Sequence, residues 1–209
     1  MSLILNAVEV GPKLGKPLFA PLTLRVAPGE VATVMGPSGI GKSTLLDGIG
    51  GHLMHGFVLR GQVLLNGRSL PELPAEARRV GVLFQDAMLF PHLSVGDNLA
   101  FGLARAVRGA SRRDAVAEAL AQAGLAGFAD RDPATLSGGQ RARAALMRAL
   151  LARPEALLLD EPFSRLDAEL RAEIRGFVFD HVRAQGIPAL MVTHDASDAE
   201  AAGGTTIAL

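Results

Sequence analysis

The chain has 209 residues, 49% of them hydrophobic, with 21 Lys and Arg balanced by 21 Asp and Glu. That length supports one domain with a sizeable core, and neutrality argues against a broad nucleic-acid footprint or a charged disordered tail. The absence of cysteine removes disulfides and thiolate metal sites and fits the cytosol; no stretch reaches the roughly 20 apolar residues of a membrane span, and the start "MSLILNAVEV" lacks a secretory signal.

The first 30 residues read as short strands broken by Gly and Pro: "LILNAVEV", the turn "GPKLGKP", "LTLRV" and the turn "APGE". The apolar run "EVATVM" enters the Gly-rich loop "GPSGIGKSTLL", and a helix follows. "GQVLLNG", bounded by Gly turns, and "VGVLFQ", ending at Gln85, are further strand candidates. From Ser94 to about Leu151 the pattern turns helical, with "SRRDAVAEALAQAG" capped by Ser111 and stopped by Gly124. "EALLLD", "IPALMVTHD" and "GTTIAL" restore the strand signal around a helix from about Asp167 to Ala184. That helix shows Leu166, Leu170, Ile174 and Phe177 on one face. All-apolar strands alternating with helices predict an α/β fold with a parallel sheet covered on both sides, into which the helical stretch is inserted.

"GPSGIGKS", Gly36 to Ser43, satisfies the phosphate-loop pattern G-x-x-x-x-G-K-[ST] between a strand and a helix. Backbone N–H groups of Gly36, Pro37, Ser38, Gly39, Ile40 and Gly41 (Pro37 excepted as a donor) and of Lys42, Ser43 and Thr44 form the candidate cradle for phosphate. Lys42 is predicted to reach the β- and γ-phosphates and Ser43 to ligate Mg²⁺. A phosphate loop needs an acid at a neighbouring strand end, and "LLLDEP" supplies Asp160 for Mg²⁺ and Glu161 to polarise the attacking water. Gln85 and His194 end two further apolar runs, where such sheets carry functional groups. Gln85 is a candidate for the metal or the lytic water, and His194 for the γ-phosphate. His52, His55, His92 and His181 show no metal-ligand spacing.

"TLSGGQRARAALMRAL" raises a separate question. Ser137 and Gln140 form a capping box, and Ala142, Ala145, Leu146 and Ala149 offer a buried face. Yet Gly138 and Gly139 disfavour a helical first turn. The residues of this bare, uncharged helix end do not by themselves say what it faces.

The ordered set "GPSGIGKS", "FQD", "LSGGQ", "LLLDEP", "FSRLD" and "THD" closely resembles ATP-binding cassette (ABC) ATPases over nearly the whole chain. "LFPHLSVGDNLAFGL" is similar to the ATPases of bacterial solute importers. The stretch from Asp132 to Asp167 looks most like the short YnjD-type subunits, grouped with those for thiamine, iron and molybdate. The resemblance implies a P-loop NTPase (RecA-like) core with a parallel sheet, an N-terminal antiparallel β-subdomain and an inserted α-helical subdomain. Residues 1–209 then form one ABC ATPase domain, with 1–87 and 152–209 as core and 88–151 as the helical signature part. The resemblance also implies ATP and Mg²⁺ as cofactors and a head-to-tail dimer with a second copy. In that dimer Ser137, Gly138, Gly139 and Gln140 face the partner's γ-phosphate, and Asp167 crosses the same interface.

Transmembrane permease subunits are the implied docking partners, received in a groove near Leu89, Phe90, Pro91 and Leu93. An extracytoplasmic solute-binding protein is implied through the permease, nucleic acid is not, and the placement is cytoplasmic and peripheral on the inner face of the plasma membrane. An exporter's ATPase and a soluble non-transport ABC ATPase are the alternatives. The chain departs from the family pattern in three places. No aromatic residue precedes the phosphate loop where adenine is usually stacked, which leaves Leu14 or the Lys13 stem to cover the base. Arg165 stands where many relatives carry Ala. The end after "GTTIAL" leads us to expect no C-terminal regulatory domain.

Overall fold

The computed structural model describes residues 1–209. In chain order the elements are β1 (Leu3–Pro12), β2 (Leu22–Val26), β3 (Val31–Met35), α1 (Lys42–Gly50), β4 (Phe57–Leu65), β5 (Arg68–Ser69) and β6 (Val80–Leu83). Then come α2 (Val95–Phe101), α3 (Gly109–Gln122), α4 (Gly138–Leu151), β7 (Ala156–Asp160), α5 (Ala168–Gln185), β8 (Ala189–Thr193), α6 (Ala196–Ala202) and β9 (Thr206–Ala208).

Two sheets result. The antiparallel sheet has the order β2-β1-β4-β5, and the parallel one β6-β7-β8-β3-β9. Their sequences differ as their environments do. In β2, Leu22, Leu24 and Val26 are buried while Thr23 and Arg25 face solvent, the period-two pattern of a half-covered sheet. In β3, β7 and β8 nearly every residue is buried, because helices cover both faces. Parallel register sets Met35 opposite Thr193 and Asp160 opposite Val192. Three strand ends therefore open onto one edge.

Three apolar cores hold these layers. One fills the space between the antiparallel sheet, α1 and the near face of the parallel sheet, around Leu5, Val63, Leu45, Ile49 and Leu158. A second lies under α4 and α5, around Leu157, Leu159, Met191, Phe163 and Phe179. The third belongs to the helical segment, around Val95, Leu99, Val116, Leu120 and Met147. Helix α4 serves two of them. Ala145 and Leu146 enter the second core, with Ala142 and Ala149 half-buried beside them, while Ala144 and Met147 enter the third. The single buried face expected for α4 is thus joined by another.

Several boundaries differ from expectation for physical reasons. Helix α3 starts at Gly109 with Arg108 at its cap, so Ser111 lies inside the first turn. Arg112 donates to the carbonyls of Ala100 and Val107 and ties that earlier turn to the end of α2. Strand β4 begins at Phe57, and Gly61 is interior to it. Strand β6 stops at Leu83, two residues short of Gln85. Leu166 precedes α5, whose buried face is Ile174, Val178, Phe179 and Val182. Helix α6 was not expected, because "ASDAEAA" has no apolar periodicity. Arg171 and Arg175 of α5 hold it through Asp195 and Asp198.

Candidate active site

The edge where β3, β7 and β8 end collects five of the predicted side chains. The loop 36–41 leaves β3 and delivers Lys42 as the first residue of α1. Gly41 holds φ +106° and Gly39 φ +84°, conformations that L side chains rarely adopt, and nothing lies within 4 Å of a Cβ placed on Gly39. The loop is open at Gly39, while the Ile40 N–H donates to Pro37 O at 3.3 Å and Leu18 packs beside Gly41. Lys42 is 5% exposed, and its Nζ donates to the carbonyls of Gly36 at 2.8 Å and Pro37 at 3.1 Å. The same ammonium stands 3.6 Å from Glu161 Oε1.

Ser43 Oγ donates to Asp160 Oδ1 at 2.9 Å, joining the start of α1 to the end of β7. Burial holds the Asp160 carboxyl above its ordinary value, Glu161's charge adds to this, and Ser43 and Lys42 only partly offset it. A hydroxyl beside an under-neutralised carboxylate is a hard oxygen donor pair of the kind Mg²⁺ takes. No group of three or more His, Cys, Asp or Glu is arranged to hold a metal ion. A cation here must therefore complete its shell with phosphate oxygens and water.

Glu161 turns the chain sharply out of β7 at φ +43°. A left-handed non-glycine residue of this sort costs on the order of 1–3 kcal/mol and needs firm surroundings. They are present. Its N–H donates to Val192 O at 3.0 Å, and its carbonyl accepts from the Ser164 hydroxyl at 3.0 Å. Phe163 is fully buried, with its ring 5.7 Å from that of Phe179 and nearly perpendicular to it. The turn aims the Glu161 carboxylate between Lys42 and His194, whose Nδ1 lies 3.1 Å from Oε2. His194 is half exposed beyond β8. Its neighbour Asp195 caps α6 and pairs with Arg171.

The other predicted residues gather elsewhere. Gln85 is exposed, and its Nε2 donates to Ser164 Oγ at 3.1 Å, with no bond to Ser43, Asp160 or Glu161. Ser137 caps α4 with the expected reciprocal bonds, Gln140 N to Ser137 Oγ at 3.3 Å and Ser137 N to Gln140 Oε1 at 3.0 Å. Gly139 has an intrachain reason to be glycine, since a Cβ there would stand 2.5 Å from Leu170 Cδ1. Gly138 has none, being exposed with Leu166 Cδ2 no closer than 4.0 Å. Gly138 shares a cleft of about 290 Å³ with Gln85, Asp86, Arg141 and Arg165. Asp167 caps α5, accepting from Leu170 N at 3.0 Å. Leu14 is 99% exposed at the tip of its turn.

A second surface lies beside the helical segment. A groove of about 320 Å³ runs between the end of β6 and α4, and its apolar walls are Phe84, Met88, Phe90 and Phe101. Phe84, Met88 and Phe101 are exposed. Of the residues expected to line or support such a groove, Phe90 is on its wall and Leu89 packs inward against two cores. Pro91 and Leu93 lie off the groove. Asn98, fully buried, accepts from Phe90 N at 2.7 Å and donates to Phe90 O at 3.1 Å, so the segment turns Phe90 outward. Only three-dimensional exposure distinguishes Phe84, Met88 and Phe101 from core residues.

Comparison with known proteins decides the family. The sequence matches the ABC transporter family over residues 19–164. The chain belongs to the ABC transporter family. It is 52% identical over 184 residues to the ABC transporter ATP-binding protein YnjD of Escherichia coli, covering 88% of this chain and 85% of that one. It is 47% identical over 180 residues to the thiamine import ATP-binding protein ThiQ of Cereibacter sphaeroides, covering 86% of this chain and 77% of that one. Among solved structures it matches a dimeric, post-hydrolysis ATP-binding cassette bound to ADP and Pi. That match has a TM-score of 0.79 and 31% identity, over all of this chain and 94% of the other. The loop 36–43 and the Asp160–Glu161 turn thus lie on the α/β scaffold of an ABC-type ATPase.

Proposed function

We propose that this ABC protein is the ATP-hydrolysing subunit of a bacterial solute importer, working as a head-to-tail pair on the cytoplasmic side of two permease subunits. The observation that carries the reading is the convergence of Lys42, Ser43, Asp160, Glu161 and His194 on one sheet edge, with the open end of α4 separate from it. Half of a nucleotide clamp is on each surface, and a second copy completes it. Residues 88–151 carry the α4 half and residues 1–87 and 152–209 the phosphate half.

ATP is the substrate, with its phosphates in the 36–43 loop and its base over the Leu14 turn, where the lack of an aromatic side chain admits GTP as well. Ser43 and Asp160, with Gln85 as a further donor, would hold Mg²⁺. The ion would supply charge neutralisation for the phosphates. Lys42 exchanges its loop carbonyls for phosphate oxygens. Glu161 takes the proton of the water that attacks the γ-phosphorus, and ADP leaves. His194 holds the Glu161 carboxylate in place through its 3.1 Å contact. The N–H groups of Gly138 and Gly139, with the Ser137 hydroxyl, meet the γ-phosphate of the partner's ATP. Closure thus depends on a group that hydrolysis removes.

The name of one relative, a thiamine import ATP-binding protein, supports the importer reading, as does the exposed Phe84–Phe101 groove, which suits a short amphipathic helix of a permease. No helix is long and apolar enough to cross a membrane, so any seat at the membrane comes through those subunits, and a solute-binding protein is reached through them. The test is the dependence of ATPase rate on protein concentration. The rate per chain is expected to rise steeply with concentration. Ser137→Arg should remove that rise and at least 90% of turnover while each chain still binds ATP. Full turnover by a strictly monomeric preparation would overturn the proposal.

A further inference from the structure

Two segments far apart in sequence are clasped beside the catalytic turn. Gln85 donates to Ser164 at 3.1 Å, and Asp86 forms an ion pair with Arg165. The next residue along each segment thus repeats the link. Ser164 is tied in turn to the Glu161 carbonyl, by its hydroxyl at 3.0 Å and its N–H at 3.2 Å. The clasp therefore couples the Gln85 segment directly to the backbone of the φ +43° turn that carries the proposed base. Asp86 and Arg165 are 57% and 62% exposed and line the same cleft as Gly138, the open first residue of α4.

For Gln85 to serve metal or water, its amide must leave Ser164. We propose that Arg165 is a positioning residue that sets the cost of this exchange: by pairing with Asp86 in its own chain, it holds Gln85 on Ser164 until the clamp closes. The inference rests on the proposed clamp and adds a control to it. Three consequences follow from the physics. The pair is exposed, so it is weak and sensitive to salt. It acts before closure, so releasing it favours closure without touching the chemistry of the closed pair. Opposite charges at 86 and 165 are what matter, so exchanging them restores the clasp.

The experiment measures the ATP concentration at half-maximal rate and the maximal rate for the full-length chain, with Arg165→Ala, Arg165→Lys, Asp86→Arg, Arg165→Asp and the double exchange. Arg165→Ala is expected to lower the half-saturating ATP concentration about two- to fivefold, the range of an exposed ion pair, with the maximal rate within twofold of wild type. Arg165→Lys should stay near wild type, and either single reversal should match or exceed the effect of Ala. The double exchange should return to wild type. At high salt wild type should approach Arg165→Ala. An unchanged half-saturating concentration in Arg165→Ala would overturn the inference. So would a raised one, which would mean that Arg165 pairs across the dimer instead. Loss of maximal rate with a lowered melting temperature would show a merely structural role and overturn it too. Failure of the wild-type chain to hydrolyse ATP at any concentration would instead strike the proposed function.

Discussion

The two ends of strand β7 treat an acidic residue in opposite ways. Where β7 begins, Glu155 is 18% exposed and fully partnered: its Oε2 accepts from Asn66 and Arg68 at 2.8 Å, and Arg79 pairs with Oε1 at 2.9 Å. Burial alone would raise its pKa, yet those hydrogen bonds and the charges of Arg68 and Arg79 together carry it below the ordinary carboxylate value. Where β7 ends, five residues on, Asp160 has one hydroxyl and a shared lysine, and burial leaves its carboxyl above the ordinary value. Glu155 closes a joint between the β4–β5 hairpin and β7. Asp160 is left short of positive charge. One strand thus spends an acid on stability at its start and withholds another for a ligand at its finish.

Matched substitutions at the two ends sharpen this contrast. Glu161→Gln has the largest expected effect: single-turnover ATP hydrolysis should fall by roughly 10²–10⁴, the usual contribution of a positioned general base, while ATP binding persists. A fully active variant would break the contrast at once. The same change at the opposite end, Glu155→Gln, should leave the ATP affinity alone and cost about 1–2 kcal/mol in a denaturant titration, because the arginines are partly exposed. That loss has a pH signature. The native carboxyl is depressed, so its stabilisation is complete above its unfolded value of roughly 4.3 and disappears as pH falls through the native value. Wild type and Glu155→Gln should therefore converge in acid. Smallest is the effect of Asp160→Asn on stability. Its carboxylate is disfavoured by folding, so near neutral pH the melting temperature should hold or rise while Mg²⁺-dependent nucleotide binding is lost. A destabilisation as large as that of Glu155→Gln would mean that Asp160 is a structural acid after all.

The legible parts of the chain are those whose physics is local. The 36–43 loop, the Asp160–Glu161 neighbours, the Ser137–Gln140 box and the Asp167 cap all declare themselves within a few residues. The fold followed from the same source, since fully apolar β3, β7 and β8 can sit only between layers. What stayed hidden depends on partners distant in sequence. The Gln85–Ser164 and Asp86–Arg165 links each span 79 residues. Helix α6 owes its place to two arginines one and two turns into α5 rather than to any apolar stripe. Ser111 looks like a cap by spacing alone, yet it lies inside the first turn, from which Arg112 reaches back to Ala100. Phe84 and Leu83 are alike in hydropathy, yet one is exposed and the other buried.

Helix α4 is gripped by two cores, and its 14 residues make a stiff rod about 21 Å long. At one tip stand Ser137 and Gly138. Near the other, Arg148 reaches under the Phe90 ring, 4.9 Å from its centre, and bonds Asn98 Oδ1 at 3.2 Å, at the wall of the apolar groove. A contact made at Phe90 and a contact made at Gly138 therefore bear on opposite ends of one helix, fixed in both cores along its length.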